Sequence, residues 1–170
     1  MNGYKITDQN ALHFITPTVV GWIDVFSRKV YKDIVIESLK YCCENKGLIL
    51  YAYVIMTNHI HLIISAVDGN LSDIIRDFKK FTSKEVIKEI EVSNESRKVW
   101  MLNKFSFEAD RTKRGAKYKF WQDGFHPIIL DNTQVATHFP IESVVGQPLF
   151  SFFLICFLKK FLLLVNMFFG

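Results

Sequence analysis

Two apolar runs joined by a short corner constrain the fold of this chain more than any other feature. The first run covers residues 48–56, and the second covers residues 59–66. A corner this short requires the two strands to run antiparallel, so the pair predicts a β-hairpin. Because the first run is apolar on both of its faces, it predicts a strand in the interior of the sheet.

The second run opens with two histidines, His59 and His61, that are separated by one residue. Residues i and i+2 of a strand share a face about 7 Å apart, so both imidazole rings are expected to point the same way. Ile60, Leu62 and Ile64 are then expected to pack in the opposite, buried face. Neutral ring nitrogens bind divalent metals, which makes the pair a candidate metal site. The alternative is one buried and one solvent-facing histidine without a metal.

The sequence on either side of the hairpin predicts further strands and a first helix. Residues 12–20 are rich in β-branched and aromatic residues and predict a first strand, although Pro17 in its middle is unusual for a central strand. A helix is expected over about residues 28–45, with Ser27 as its N-cap. Residues 125–130 predict a fourth strand.

A second helix is expected from Asn70, its N-cap, to about Glu91. Its buried stripe is predicted at Leu71, Ile74, Ile75, Phe78 and Phe81. Its exposed side is basic and contains Arg76, Lys79, Lys80 and Lys84. The resulting element order, β-α-β-β-α-β, is that of the ferredoxin-like split βαβ fold, an α+β class with an antiparallel sheet and helices on one face.

The segment between the second helix and the fourth strand is basic and lacks a clear period. Residues 97–119 contain eight basic residues against Glu108 and Asp110, and they predict a long, flexible arm. Aromatic residues alternate with these charges. That mixture suits single-stranded DNA, because bases stack on aromatic rings while lysine and arginine follow the backbone. An ordinary solvated loop is the alternative.

The composition changes sharply near residue 132. Residues 1–132 carry 19 of the 21 basic and 16 of the 17 acidic residues, whereas the last 38 residues contain 8 of the 16 phenylalanines. Residues 149–169 approach the length of a membrane span, but each lysine of the central Lys159-Lys160 pair opposes insertion by about 2.5–3.5 kcal/mol. We therefore expect a domain over residues 1–132 and an atypical apolar tail over 133–170. No signal-peptide pattern opens the chain, which favours a cytoplasmic location.

Three stretches with recognisable motifs follow one another along the chain. They are residues 51–64 (YAYVIMTNHIHLII), 71–82 (LSDIIRDFKKFT) and 120–127 (FWQDGFHP). Together they resemble the HUH-type single-tyrosine transposases, and especially the REP-associated tyrosine transposase branch, over about residues 11–132. The resemblance implies a domain that cuts and rejoins single-stranded DNA at the hairpin-bearing ends of mobile elements.

The resemblance also implies the chemistry of the site. His59 and His61 would hold Mg²⁺ or Mn²⁺, which acts on the scissile phosphate as a Lewis acid. A tyrosine on a later helix would attack phosphorus and form a covalent link to DNA. Single-stranded or hairpin DNA is the expected partner, with a homodimer and membrane contact through residues 149–169 left open. The residues expected near DNA are Arg76, Lys79, Lys80, Arg111, Lys113, Arg114, Trp121 and Gln122.

The resemblance ends at Asp131. The family continues with a helix that supplies the nucleophilic tyrosine and a third metal ligand, but no tyrosine follows Tyr118 in this chain. The residues that could replace the third ligand are Gln134, His138 and Glu142. Because the motif is lost where the composition changes, we expect a frameshift or junction near residue 132 and a catalytically inactive copy. The alternatives are a DNA-hairpin-binding module that does not cleave and a membrane-associated remnant.

Overall fold

Four strands form one antiparallel sheet in the computed structural model, which describes residues 6–112, 115–125 and 127–130. The strands are β1 (His13–Ile15), β2 (Leu48–Ile55), β3 (Ile60–Ala66) and β4 (Ile128–Ile129). They lie side by side in the order β2-β3-β1-β4, with every neighbouring pair antiparallel. This is the order of a split βαβ fold, so the predicted fold class is confirmed.

The predicted hairpin of β2 and β3 is present, but β2 does not lie where the sequence placed it. The pairing runs from Leu48 opposite Ala66 to Ile55 opposite Ile60, with one register shift around Tyr51. Among the described strands β2 forms an edge of the sheet, so the prediction of an interior strand was wrong. Tyr51, at this bulge, is 48% exposed. An apolar composition on both faces does not distinguish an interior strand from an edge strand that is partly covered.

Three α-helices accompany the sheet in the described residues, and they share one apolar core with it. The helices are α1 (Lys29–Asn45), α2 (Leu71–Val92) and α3 (Lys98–Thr112). Ile60, Leu62 and Ile64 of β3 are fully buried in the same core as the apolar side chains of α1 and α2. Since side chains alternate along a strand, His61 points to the face of the sheet opposite this core.

β1 is shorter than predicted because the strand pairing changes at Pro17. A proline has no backbone N–H to donate, yet its carbonyl can still accept. The Pro17 carbonyl accepts a hydrogen bond from the backbone N–H of Ile60 at 3.0 Å. Beyond the proline two isolated bridges follow: Thr18 with His59, and Val19 with Trp121. β4 is likewise shorter than predicted, with two residues in place of residues 125–130.

The predicted N-cap of α1 and part of the predicted buried stripe of α2 were wrong. α1 begins after Arg28, and Ser27 does not cap it, because the Ser27 hydroxyl donates to the carbonyl of Asp24 at 2.9 Å. In α2 the predicted core residue Phe81 is 52% exposed. The buried stripe continues instead through Thr82, whose hydroxyl donates to the carbonyl of Phe78 at 2.8 Å and so satisfies its polar group within the helix.

Most of the segment predicted as a flexible arm is helical. α3 buries three residues spaced four apart, Met101, Phe105 and Ala109. This spacing places them on one face of a helix. The ring of Phe105 lies 5.4 Å from that of Phe120, measured between centroids, which ties α3 to the segment before β4. The prediction failed because the buried stripe is only one residue wide and basic residues surround it.

A buried carboxylate, Glu95, ties the connection between α2 and α3 to the start of α1. The Glu95 side chain is fully buried and lies 3.0 Å from Nε of Arg28. It also accepts a hydrogen bond from the backbone N–H of Arg97 at 3.1 Å. Burial opposes ionisation of this carboxyl, but the Arg97 N–H and the Arg28 guanidinium outweigh burial and hold the pKa of Glu95 below its ordinary value.

The predicted apolar tail lies outside the described residues, and so does the predicted membrane contact through residues 149–169. None of the helices among the described residues is long and apolar enough to cross a membrane. The described strands and helices belong to one compact unit that ends at Ile129.

Candidate functional site

The corner between β2 and β3 places the first histidine of the pair. The backbone N–H of Met56 donates to the carbonyl of His59 at 2.9 Å, which closes the turn. The N-terminal segment holds the corner from outside, because Val19 donates to the carbonyl of Asn58 at 2.9 Å and Phe26 donates to that of Thr57 at 2.8 Å. His59 is therefore fixed one residue before β3 begins, and His61 lies within β3.

The imidazole rings of His59 and His61 converge on one point. Nε2 of His59 lies 3.0 Å from Nε2 of His61. Two adjacent ligands of an octahedral ion, at the bond lengths of about 2.0–2.1 Å that Mg²⁺ requires, lie about 2.9 Å apart. The two nitrogens are spaced as neighbouring ligands of a single divalent cation would be, and the same distance is that of a hydrogen bond from one ring to the other. This is the geometry that the alternation of side chains along the strand predicts.

The second nitrogen of each ring meets an oxygen. Nδ1 of His59 lies 2.6 Å from Oδ1 of Asn58, and Nδ1 of His61 lies 3.0 Å from Oγ1 of Thr16. An amide oxygen only accepts, so the Nδ1 of His59 is the donor. A proton on Nδ1 leaves the Nε2 lone pair available to a metal, which is the usual arrangement of metal-binding histidines. Sequence reasoning missed both oxygen partners.

Burial favours the neutral form of both rings. Burial lowers the pKa of His59, and burial together with the neighbouring His59 lowers the pKa of His61 to about 4. Metals bind the neutral form of imidazole, so protonation does not compete with a cation at this site near pH 7. Over the described parts of the chain, no group of three or more His, Cys, Asp or Glu residues is placed to hold a metal ion. A cation at this position would therefore take two ligands from the described residues, His59 and His61.

Trp121, predicted to lie near DNA, is a core residue. Its indole is buried, and Nε1 donates to Oγ1 of Thr82 at 3.0 Å. Its ring also contacts those of Phe26 and Phe120, with centroids 5.9 and 4.8 Å away. An indole enclosed in this way offers no face to a base. The sequence could not distinguish Trp121 from an exposed aromatic residue, because Trp121 lies in a segment without a regular hydrophobic period.

Lys79 was predicted on the exposed side of α2, and that placement was wrong. Its Nζ donates to the carbonyls of Gln122 and Gly124 at 2.9 and 3.2 Å. It also lies 5.5 Å from the ring centroid of Phe125, and burial lowers the pKa of Lys79 to about 8. The carbonyl of Phe125 in turn accepts from Thr16 at 2.9 Å. Lys79 therefore holds residues 122–124 against α2, and the next residue along the chain, Phe125, binds the backbone of Thr16.

The other residues predicted near DNA have separate surroundings. Gln122 donates through Nε2 to the carbonyl of Val19 at 3.3 Å. Two arginines pair with acids: Arg76 with Asp73 and Asp77, and Arg111 with Glu108.

Lys80 is exposed beside a groove of about 760 Å³ between α1 and α2, on the helix-covered side of the sheet. Lys113 and Arg114 lie outside the described residues. The structure thus brings His59 and His61 together but does not bring Lys80 to them.

A family comparison assigns the chain. Residues 12–114, more than half of the 170 residues, match the family described as transposase IS200 like. The chain belongs to the IS200-like transposase family. The predicted relationship to transposases is confirmed, and with it a place among proteins of DNA transposition. A search of the curated proteins finds no match to this chain.

Two solved structures resemble this IS200-like transposase chain. A REP-associated tyrosine transposase bound to a REP hairpin is 15% identical, with a TM-score of 0.54 over 81% of this chain and 67% of that one. A candidate transposase from Deinococcus radiodurans R1 is 12% identical, with a TM-score of 0.48 over 81% of this chain and 92% of that one. The first of these similarities supports the fold.

Proposed function

We propose that this member of the IS200-like transposase family binds single-stranded or hairpin DNA with a divalent cation held by His59 and His61. One observation supports the proposal above others: the two Nε2 atoms lie 3.0 Å apart within a transposase fold. Each ring is also oriented through its Nδ1 by a neighbouring oxygen. The proposal includes a cytoplasmic location, where the chain would meet DNA.

Mg²⁺ or Mn²⁺ is the proposed cation, and Mn²⁺ accepts imidazole ligands more readily. A bound cation would polarise a phosphate oxygen of DNA. The chain's own contribution is to hold two neutral imidazoles in a fixed orientation through Asn58 and Thr16. Two protein ligands leave the remaining coordination positions to water or to phosphate oxygens, as Mg²⁺ sites in phosphate-binding enzymes commonly do.

The DNA partner is proposed from the family and from the similar REP-associated transposase, which is bound to a REP hairpin. Candidate phosphate contacts among the described residues are Lys80, Arg76 and Arg111. Lys80 would meet phosphates away from the histidine pair, because it lies on the helix-covered side of the sheet. The two arginines are more than half exposed, so a phosphate can replace their carboxylate partners at little energetic cost. Lys113 and Arg114 remain candidates from the sequence alone.

Cleavage is not part of the proposed activity of this copy. No tyrosine follows Tyr118, and Tyr118 itself precedes β4, with Nζ of Lys117 4.8 Å from its ring centroid. We propose that the functional part of the chain ends near residue 132 and that residues 133–170 are foreign to the family, as a frameshift near codon 132 would produce. Nucleotide sequence that encodes the family helix downstream in another frame would support this boundary.

Binding of a hairpin oligonucleotide is expected to weaken steeply as salt increases. With about three phosphate contacts, log K should fall against log salt with a slope of about −2 to −3, because each neutralised phosphate releases counterions. Fluorescence anisotropy between low and moderate KCl concentrations measures this slope. Lys80→Ala should reduce the slope by about one contact, whereas the exposed Lys88→Ala, two turns further along α2, serves as the matched control. An affinity indifferent to salt contradicts phosphate binding.

A further inference from the structure

Trp22 has an unusual backbone conformation next to the histidine pair. Its φ is +55°, the only positive φ among the described non-glycine residues, and Gly21 before it has a φ of +62°. Large side chains rarely adopt this left-handed conformation, and where they do the surroundings must enforce it. Such enforced conformations concentrate at functional sites, so the position of this tryptophan needs an explanation beyond chain reversal.

Hydrogen bonds hold Trp22 in this conformation, and one of them comes from the histidine site. Nδ2 of Asn58 donates to the carbonyl of Trp22 at 3.3 Å, while Oδ1 of the same amide accepts from Nδ1 of His59 at 2.6 Å. The backbone N–H of Trp22 donates to the carbonyl of Val19 at 3.2 Å. A single amide side chain therefore fixes both the tryptophan and the first metal-binding histidine.

The indole of Trp22 is not used by the core. It is 62% exposed, whereas an apolar ring of this size gains most by burial. Its centroid lies 6.1 Å from that of His59, and the two rings meet edge to face at 76°. An exposed flat apolar surface thus stands beside a site suited to a cation and its phosphate. A nucleotide combines these two features, an anionic phosphate and a flat base.

We propose that Trp22 is the stacking platform for the base that adjoins the phosphate held at His59 and His61. The inference rests on the proposed DNA-binding function and adds a subsite to it. Stacking on an aromatic ring does not read base identity, so the subsite accepts any base of a single strand. A paired base already lies within its own stack, so a single-stranded segment is the ligand that fits.

The test compares normal and abasic single-stranded oligonucleotides by fluorescence anisotropy in Mn²⁺. Trp22→Ala should weaken binding about tenfold and Trp22→Phe by much less, within the range for one stacked base. Tyr41→Ala is the matched control, because Tyr41 is an exposed aromatic residue on α1, outside the residues proposed to contact DNA. An abasic site is then moved along the oligonucleotide. At one position it should weaken wild-type binding about tenfold and leave Trp22→Ala binding unchanged.

This coupling separates stacking from a structural role, since a misfolded variant would lose affinity for both oligonucleotides. Thermal melting of each variant confirms the fold. If the Trp22→Ala substitution and the abasic site weaken binding independently at every position, while the wild-type chain still binds DNA, the inference is overturned and the proposed function is not. Loss of self-association in Trp22→Ala, with DNA binding unchanged, would also overturn it by assigning the indole to a contact between copies. Absence of any DNA binding by the wild-type chain would overturn the proposed function and the inference together.

Discussion

Replacing His61 with alanine is expected to abolish specific Mn²⁺ binding. His61 supplies one of the two convergent Nε2 atoms, and a single imidazole cannot hold the cation in a fixed position. The affinity should fall by more than about 100-fold, since loss of an outer partner of a ligand alone lowers affinity about 10–100-fold. His59→Ala should behave in the same way. Isothermal titration calorimetry, or electron paramagnetic resonance of free Mn²⁺, measures the effect.

Two further variants make this test selective. Thr16→Val removes the oxygen 3.0 Å from Nδ1 of His61 and should lower Mn²⁺ affinity about tenfold, whereas Thr16→Ser should retain it. His13→Leu is the control histidine, because His13 lies on β1 opposite Ile64 and faces the helix-covered side of the sheet. Mn²⁺ binding that survives in His61→Ala would place the cation elsewhere on the chain.

Replacing Glu95 with alanine is expected to lower the free energy of unfolding by about 3 kcal/mol. The Glu95 carboxylate is fully buried and bonds to the partly exposed guanidinium groups of Arg28 and Arg97, and the loss of a hydrogen bond to a charged group costs about 1.5–3 kcal/mol. The substitution also removes the acceptor of the Arg97 backbone N–H. Urea denaturation measures the change. Asp33→Ala breaks the exposed pair of Asp33 with Lys29 on α1, and as the control it should change stability by less than about 0.5 kcal/mol.

The stabilisation by Glu95 should also depend on pH. Its pKa is lowered in the folded protein, so its contribution is fully present above the unfolded pKa of about 4.3 and is lost as pH falls through the folded value. The difference in stability between the wild-type chain and Glu95→Gln should therefore be constant near pH 7 and shrink below about pH 4. A stability difference between the wild-type chain and Glu95→Gln that stays the same at low pH would contradict an ionised, stabilising Glu95. So would a loss of unfolding free energy in Glu95→Ala that is no larger than the loss in Asp33→Ala.

The parts of the fold that the sequence predicted depend on local periodicity. The hairpin and the shared face of His59 and His61 follow from the two-residue repeat of a strand, which needs no knowledge of the remaining chain. α3 was not predicted, because only three residues form its buried face: Met101, Phe105 and Ala109. Edge and interior strands cannot be distinguished from one strand alone, since the position of β2 depends on the strands that pair with β3.

The parts of the site that the sequence did not predict depend on contacts between distant residues. Thr16 meets His61 across 45 positions of sequence, and Lys79 meets the Gln122 carbonyl across 43. Nothing in the local sequence distinguishes such a threonine or lysine from one on the surface. The conformation of Trp22 was not predicted for a similar reason, because one of the hydrogen bonds that hold it comes from Asn58, which is distant in the sequence.

A covalent-adduct assay tests most directly whether the chain binds DNA without cleaving it. The full-length protein is incubated with end-labelled hairpin DNA and Mn²⁺, and then separated in denaturant. We expect metal-dependent binding under native conditions and no labelled band at the mass of the protein after denaturation, because no tyrosine follows Tyr118 to form the phosphotyrosine link. A denaturant-resistant adduct would contradict this expectation, and the modified residue, mapped by mass spectrometry, would identify the nucleophile.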